Sequence, residues 1–439
     1  MLITVSAITP ASSVFIIAPG VIQEAGSGAF LSFIAAAIVG ICMAYVYAEL
    51  SSAYPLAGGE YAIVRRVLGP FPGFLLLGLM LSTLILSVAV IALGVGTYLR
   101  TVLPHLPTVT TAAVTVIVAT LIAVLNIRIN AIVTGIFLGI EIISLLLLSI
   151  LGFSHLSRPF MDLVFHPVAL DTSRALAPTP VGAIGLATAV AIYAVNGYGQ
   201  AVYFGEEMHD APRDIARAII WALATTVIAE LVPVTAMLLG APSLQGLLGS
   251  QNMLVDFIVA RGGTTLNTVI NLAIALAIFN AVIAILLQAS RFLFSTGRDQ
   301  VWTDPLNRLL VSTHPRFHSP WAATVVSGVF CAMACYVDEK TLLVVTGTSL
   351  VVMYTALCVA VISGRRTGST RHGIYRMPLF PVPPIAAALA LAYVAYANWE
   401  DPVIGRPSLY TTLGIVVASA IYYVWVLRRR GSWELPGPA

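Results

Sequence analysis

Tyr193-Ala194-Val195-Asn196-Gly197-Tyr198-Gly199 stands inside an otherwise apolar run covering residues 181–204. A run of that length and polarity reads as a membrane-crossing helix, which needs about 20 apolar residues. Two glycines around one tyrosine leave the backbone free to unwind where a plain span is most regular. In hydrocarbon, unwound backbone survives only where protein or a water-filled cavity satisfies its N–H and C=O groups. The stretch therefore predicts a broken helix whose break lines a cavity.

A second interruption, Thr9-Pro10-Ala11-Ser12-Ser13-Val14, lies in the first apolar run. Pro10 removes a backbone donor and collides with the preceding turn. Around these two breaks the chain is lipid-like throughout. Of its 439 residues 59% are hydrophobic and 9% charged, where a soluble protein carries about 25% charged residues; the mean hydropathy is +0.95. Apolar runs at 1–22, 29–50, 71–99, 108–126, 129–152, 182–205, 217–240, 265–296, 320–336, 342–363, 378–397 and 408–427 predict twelve spans. They are continuous rather than alternating, which excludes an outer-membrane barrel. The fold class is an all-α polytopic membrane protein, with residues 1–439 forming one transmembrane domain. Twelve rather than eleven depends on Asn126-Ile127-Arg128-Ile129-Asn130, whose Arg between two Asn suits a tight turn and not mid-bilayer.

With the N-terminus inside, sixteen of the 22 basic residues fall on the cytoplasmic side, among them Arg65, Arg66, Arg213, Arg365 and Arg376. Arg100, Arg158, Arg174, Arg261, Lys340 and Arg406 fall on the other. The positive-inside rule thus predicts cytoplasmic termini, in a cell membrane such as a bacterial inner membrane. The first basic residue is Arg65, so no basic region precedes the first run and it is expected to be retained rather than cleaved. Apolar sequence begins at Met1, and a cytoplasmic lead-in is expected ahead of it.

The breaks fall in the first and sixth spans, the placement that two five-helix repeats of inverted topology produce. The repeats are 1–152 and 182–363, and 378–427 adds two helices. A proline kink or a glycine packing contact explains either break alone, but matched interruptions in two halves point to a transporter site. Half-helix N-termini offer free N–H groups to an anion, and C-terminal carbonyls attract a cation. An amino acid zwitterion carries both charges.

Two ionisable residues fall near mid-span, Glu141 and Glu230. A charged carboxylate at a helix centre costs roughly 2.5–3.5 kcal/mol on insertion scales, so each defaults to a functional candidate. A carboxyl that is neutral in hydrocarbon and ionises when a cavity hydrates behaves as a proton carrier. The same groups also suit a cationic substrate, and the residues leave both uses open. Residues 272–289 contain no Ser or Thr hydroxyl for a sodium site. Asn280 is the mid-helix amide there, and it is expected to line the substrate cavity.

Five segments in order resemble the amino acid-polyamine-organocation (APC) transporter superfamily. They are Ser12-Ser13-Val14-Phe15 with Pro19-Gly20; Tyr47-Ala48-Glu49-Leu50 with Gly58-Gly59-Glu60-Tyr61; Tyr193-Ala194-Val195-Asn196-Gly197-Tyr198 with Glu206-Glu207; Ser290-Arg291 with Arg298-Asp299; and Pro315 with Ser319-Pro320. The resemblance covers almost the whole chain. It implies alternating access and a substrate held at unwound helices one and six. It puts Ala11, Ser12 and Ser13 at the substrate carboxylate with Val14 also among the substrate-binding residues, Tyr193 at an aromatic gate, and Ala194, Asn196, Gly197 and Tyr198 at the amine and side-chain end. Glu141 takes a position where many members carry Lys, beside the coupling site. Ala11 and Ser13 depart from the family's flanking glycines, so an α-carboxylate is bound less closely or is missing from the substrate.

The expected activity is import or exchange of amino acids or related amines, coupled to protons through Glu141 and Glu230, with polyamine antiport as the alternative. The expected partners are a small amine or amino acid, protons and membrane lipid. An ATP-driven pump is excluded, since the single lysine, Lys340, follows no glycine-rich phosphate loop. A membrane enzyme finds no His-Glu-x-x-His motif. A channel or transporter-like sensor is the remaining rival, which saturable, stereoselective uptake distinguishes. Cys42, Cys331, Cys335 and Cys358 read as small packing residues rather than a metal site. No cofactor and no nucleic acid are expected.

Overall fold

Backbone groups in lipid have no water to bond, so long apolar runs close their hydrogen bonds within themselves as helices. The computed structural model describes residue 10 and residues 13–427, apart from 57, 104, 126, 172, 209, 251, 403 and 404. Ala11 and Ser12 of the first break, and Arg428 to Arg430, lie outside the described residues.

A π-helical turn over Ser13–Ile17 leads into α1 (Ala18–Ala25), and α2 (Ala29–Ala53) follows. Next come α3 (Glu60–Leu68), α4 (Pro70–Val102), α5 (Thr108–Ala123) and α6 (Ile127–Phe153). The segment between α6 and the next long helix holds α7 (Met161–Phe165) and a hairpin of β1 (Val168–Leu170) and β2 (Leu176–Pro178), paired antiparallel with Ala169 opposite Ala177. Then α8 (Val181–Ala194) ends, and a 3-10 helix runs over Tyr198–Glu207. The chain continues through α9 (Ala211–Gly240), α10 (Leu244–Gly249), α11 (Met253–Arg298), α12 (Asp304–Leu310) and α13 (Trp321–Ala334). Last are α14 (Glu339–Thr367), α15 (Val382–Glu400) and α16 (Gly405–Tyr422).

Among the described residues, nine apolar helical stretches are long enough to cross a membrane, and Thr108–Ala123 and Trp321–Ala334 are shorter apolar helices. The protein is thus a polytopic helical membrane protein. The run 108–152 is divided as the Asn/Arg segment predicts, with Asn130 Nδ2 donating to Leu125 O at 2.9 Å across the turn. Two expectations change. The span expected at 265–296 begins at Met253 and bends at Gly263, which sets off an N-terminal arm. Arg261 on that arm donates to Gly240 O at 2.8 Å, and Arg158 to Ala241 O at 2.9 Å, which satisfies carbonyls at the end of α9. The span expected at 182–205 is α-helical only to Ala194 and continues as a 3-10 helix from Tyr198, the tighter form used in short pieces.

Burial orders the helices. In α11 72% of the apolar window is buried, against 11% in the stretch ending at Leu427, so the first is central and the second is left for lipid. Against α11 pack α4, α6 and α13, while α2 packs against α8 and α9. Ile136, Leu146 and Ile150 on α6, and Leu389 and Tyr396 on α15, form part of an exposed apolar belt.

Candidate functional site

The α-helix from Val181 stops at Ala194 because Gly197 takes φ +117°, a conformation that side chains with a Cβ rarely adopt. Stopping there strands carbonyls at the helix end and N–H groups beyond it. Ser13 Oγ, at the start of the π-helical turn, donates to Ala194 O at 2.9 Å. Asn196 Oδ1 accepts Gly197 N–H at 2.7 Å and also the Tyr354 hydroxyl from α14. Tyr98 on α4 donates to Phe15 O at 2.6 Å, which serves a carbonyl of the π-helical turn. The start of the first described helical stretch and the break after Ala194 are joined directly, and α4 and α14 each add a hydrogen bond to one of them.

A cavity of about 110 Å³ lies at this junction. Its wall includes Ser13, Ile16 and Ile17 from the first break, and Tyr193, Ala194, Asn196, Gly199 and Gln200 from the second. Opposite stand Thr83, Ser87 and Ile91 of α4, Gln288 of α11 and Thr346, Leu350 and Met353 of α14. Tyr47, Glu60 and Tyr203 form one end. Gln288 Nε2 donates to Gln200 Oε1. Two buried polar atoms of the wall, Thr83 Oγ1 and Gln288 Oε1, have no hydrogen-bond partner among the described residues. Buried polar atoms are otherwise nearly always bonded, so these are where a polar solute gains most.

Of the residues expected at the site, Ser13, Tyr193, Ala194 and Asn196 share this wall. Ala11 and Ser12 lie outside the described residues. Val14, Gly197, Tyr198 and Asn280 are buried but are not among the lining residues. Tyr198 packs edge-on to Tyr47, ring centroids 6.0 Å apart. Asn280 has neither side-chain polar atom bonded among the described residues. Glu141 and Glu230 are fully buried, off the cavity wall, and Glu230 has Ser13 and Glu141 as its polar neighbours. Glu49 is held by Arg365 through two contacts of 2.6 Å, with Met377 N–H at 2.9 Å.

Glu60, quoted above only within a family-like segment, is not among the residues expected at the site. It is the carboxylate of the described cavity wall. Tyr47 donates to its Oε1 at 2.9 Å and Tyr203 to its Oε2 at 2.7 Å. Burial pushes the Glu60 carboxyl up from the usual carboxylate range, and the Tyr203 and Tyr47 hydroxyls oppose that. No cluster of His, Cys, Asp or Glu among the described residues could hold a metal ion.

The profile of the family described as Amino acid permease matches residues 1–420. The chain belongs to the amino acid permease family. This permease is a transporter of the APC superfamily and not an enzyme. It is 29% identical over 375 residues to an uncharacterized transporter of Mycobacterium tuberculosis, covering 84% of this chain and 80% of the relative. It is 23% identical over 433 residues to the methylthioribose transporter of Bacillus subtilis, covering 91% and 86%. To the branched-chain amino acid permease of the same organism it is 24% identical over 421 residues, covering 90% and 85%. The permease's described cavity wall carries no Arg, Lys or His.

Proposed function

We propose that this permease is a secondary active transporter of a small amino acid or related amine, working by alternating access. Its twelve helices form two inverted five-helix repeats, 1–152 and 182–363, with 378–427 outside them and both termini cytoplasmic. The observation that carries the reading is the Ser13 to Ala194 hydrogen bond, which brings the start of the first described helical stretch and the break after Ala194 to one cavity wall. Helix ends meeting there supply N–H groups for an anion and carbonyls for a cation, so a zwitterion needs no charged side chain. The wall's lack of Arg, Lys and His fits that mode, and the branched-chain permease relative supports an amino acid.

Glu141 and Glu230 are the proton-coupling pair of this proposal, two fully buried carboxyls, with Glu230 feeling the charge of Glu141 and the Ser13 hydroxyl. Like charges in such a place cannot both ionise cheaply. A second reading, a substrate without an α-carboxylate, draws on the Ala11 and Ser13 departures and on the relative named for methylthioribose.

Purified protein in proteoliposomes tests the main reading with a panel of labelled amino acids and amines. Accumulation driven by a pH gradient or by counter-substrate is expected. Absence of accumulation under every gradient overturns it.

A further inference from the structure

The cavity's far end is built from three elements meeting at one carboxylate. Glu60 opens α3, Tyr47 comes from α2, and Tyr203 comes from the 3-10 helix that follows the second break. One phenol oxygen lies 2.9 Å and the other 2.7 Å from a Glu60 oxygen, so an ionised Glu60 accepts from both and a protonated one accepts from one and donates to the other. Close packing holds the three together in this state. Gly59 sits at φ +63°, and a Cβ there would lie 2.7 Å from the Tyr203 ring. A Cβ on Gly199 would lie 2.6 Å from the Tyr47 ring. Neither ring can leave without changing what surrounds Glu60.

This end carries Arg65 and Arg66 on the same helix, and so is cytoplasmic in the orientation proposed above, on which the inference rests. We propose that Glu60 is the proton-linked latch of the cavity's cytoplasmic floor, bridging Tyr47 and Tyr203 when protonated and releasing its proton to cytoplasmic water as they part. A neutral carboxyl both donates and accepts, so it spans two phenols without a buried charge. Parting lets water reach the carboxylate, which solvates the charge left behind.

The sign follows from linkage. The closed floor binds the proton more tightly than the open one, because burial disfavours the charged form. Low pH therefore holds the floor shut, and neutral or alkaline pH opens it. The titratable groups facing Glu60 are Tyr47, Tyr203 and, on α14, Tyr354. All three stay neutral in that range. Arg65 is drawn instead toward Asp299.

Hydrogen exchange of residues 54–62 and 198–207 tests this on the full chain in nanodiscs, from mildly acidic to mildly alkaline pH. Protection in the wild type is expected to fall by up to about tenfold per pH unit after correction for intrinsic exchange, the limit for one proton. Glu60→Gln, which keeps a neutral bridge, is expected to show high protection independent of pH. Tyr203→Phe removes a donor that favours the carboxylate, so its midpoint moves to higher pH. A flat wild-type profile, or an unchanged pH dependence in Glu60→Gln, overturns the latch. Should Glu60→Gln fail to fold, an unmoved midpoint in Tyr203→Phe overturns it equally. Exchange is read without substrate, so failure of the uptake panel leaves this result interpretable by itself.

Discussion

Glu60 and Tyr61 are consecutive residues whose side chains serve different parts of the molecule. Glu60 accepts the hydroxyls of Tyr47 and Tyr203, whereas Tyr61 donates to Asp299 Oδ2 at 2.7 Å and meets Ser295 Oγ at 2.6 Å. The first turn of α3 thus ties the cavity floor on one side and the end of α11 on the other. Tyr61→Phe keeps the ring packed on Phe292 and loses only the hydroxyl. It is expected to cost about 1–3 kcal/mol of stability, as deletion of a buried hydrogen bond to a charged group does. A lower apparent melting temperature in detergent checks this, and an unchanged one contradicts the tie.

Asn196 caps the break in α8 by serving Gly197 N–H and the Tyr354 hydroxyl at once. Asn196→Ala strands both, and about 1–1.5 kcal/mol for each lost bond corresponds to a fall of roughly tenfold or more in uptake rate. Tyr354→Phe leaves the Gly197 bond in place, so its loss is expected to be smaller. Initial rates in proteoliposomes rank the two. Full activity in Asn196→Ala would remove the cap from the mechanism.

Glu49 is buried, and Arg365 grips it with two nitrogens at 2.6 Å while Met377 N–H adds a third bond. Arg365→Ala leaves that carboxylate without its main partner, at a cost of about 3–5 kcal/mol. Arg365→Lys restores charge without the fork, so it falls between the wild type and Arg365→Ala. Thermal denaturation of the three proteins in one detergent measures the order. A lysine variant as stable as the wild type would refute a geometric role for the fork.

Asp171 organises the β1–β2 hairpin. Its carboxylate accepts the Ser173 hydroxyl at 2.6 Å and the N–H groups of Ser173 and Ala175 at 2.8 and 2.9 Å. These bonds, the Ser173 hydroxyl first, hold the carboxyl below its ordinary range. Its contribution is therefore present above the ordinary carboxylate pKa and is lost as pH falls through the depressed value. Exchange of residues 168–178 is expected to quicken at acidic pH, and Asp171→Asn to show that faster exchange at every pH. Equal protection in the two proteins at neutral pH would deny the hairpin its dependence on charge.

Periodicity and composition suffice for the helical membrane architecture because lipid gives the backbone few alternatives. The same constraint made Asn196-Gly197 legible as a break, since unwound backbone in a span always requires an explanation. Glu60 was not legible in this way. It lies outside the long apolar runs, where an acidic residue costs nothing, and its burial comes from Tyr47 and Tyr203, 13 residues before it and 143 after it in the chain.

The sequence by itself determined that the chain is a polytopic helical membrane protein of this family and that its sixth apolar run is interrupted. Those properties are local, set by residue type and spacing. Tertiary structure alone decided that Ser13 reaches Ala194, 181 residues away, and that Glu60 rather than Glu141 or Glu230 stands in the cavity wall. Which side chains face one cavity depends on helix rotation and packing, and no hydropathy pattern encodes either where both neighbours are apolar.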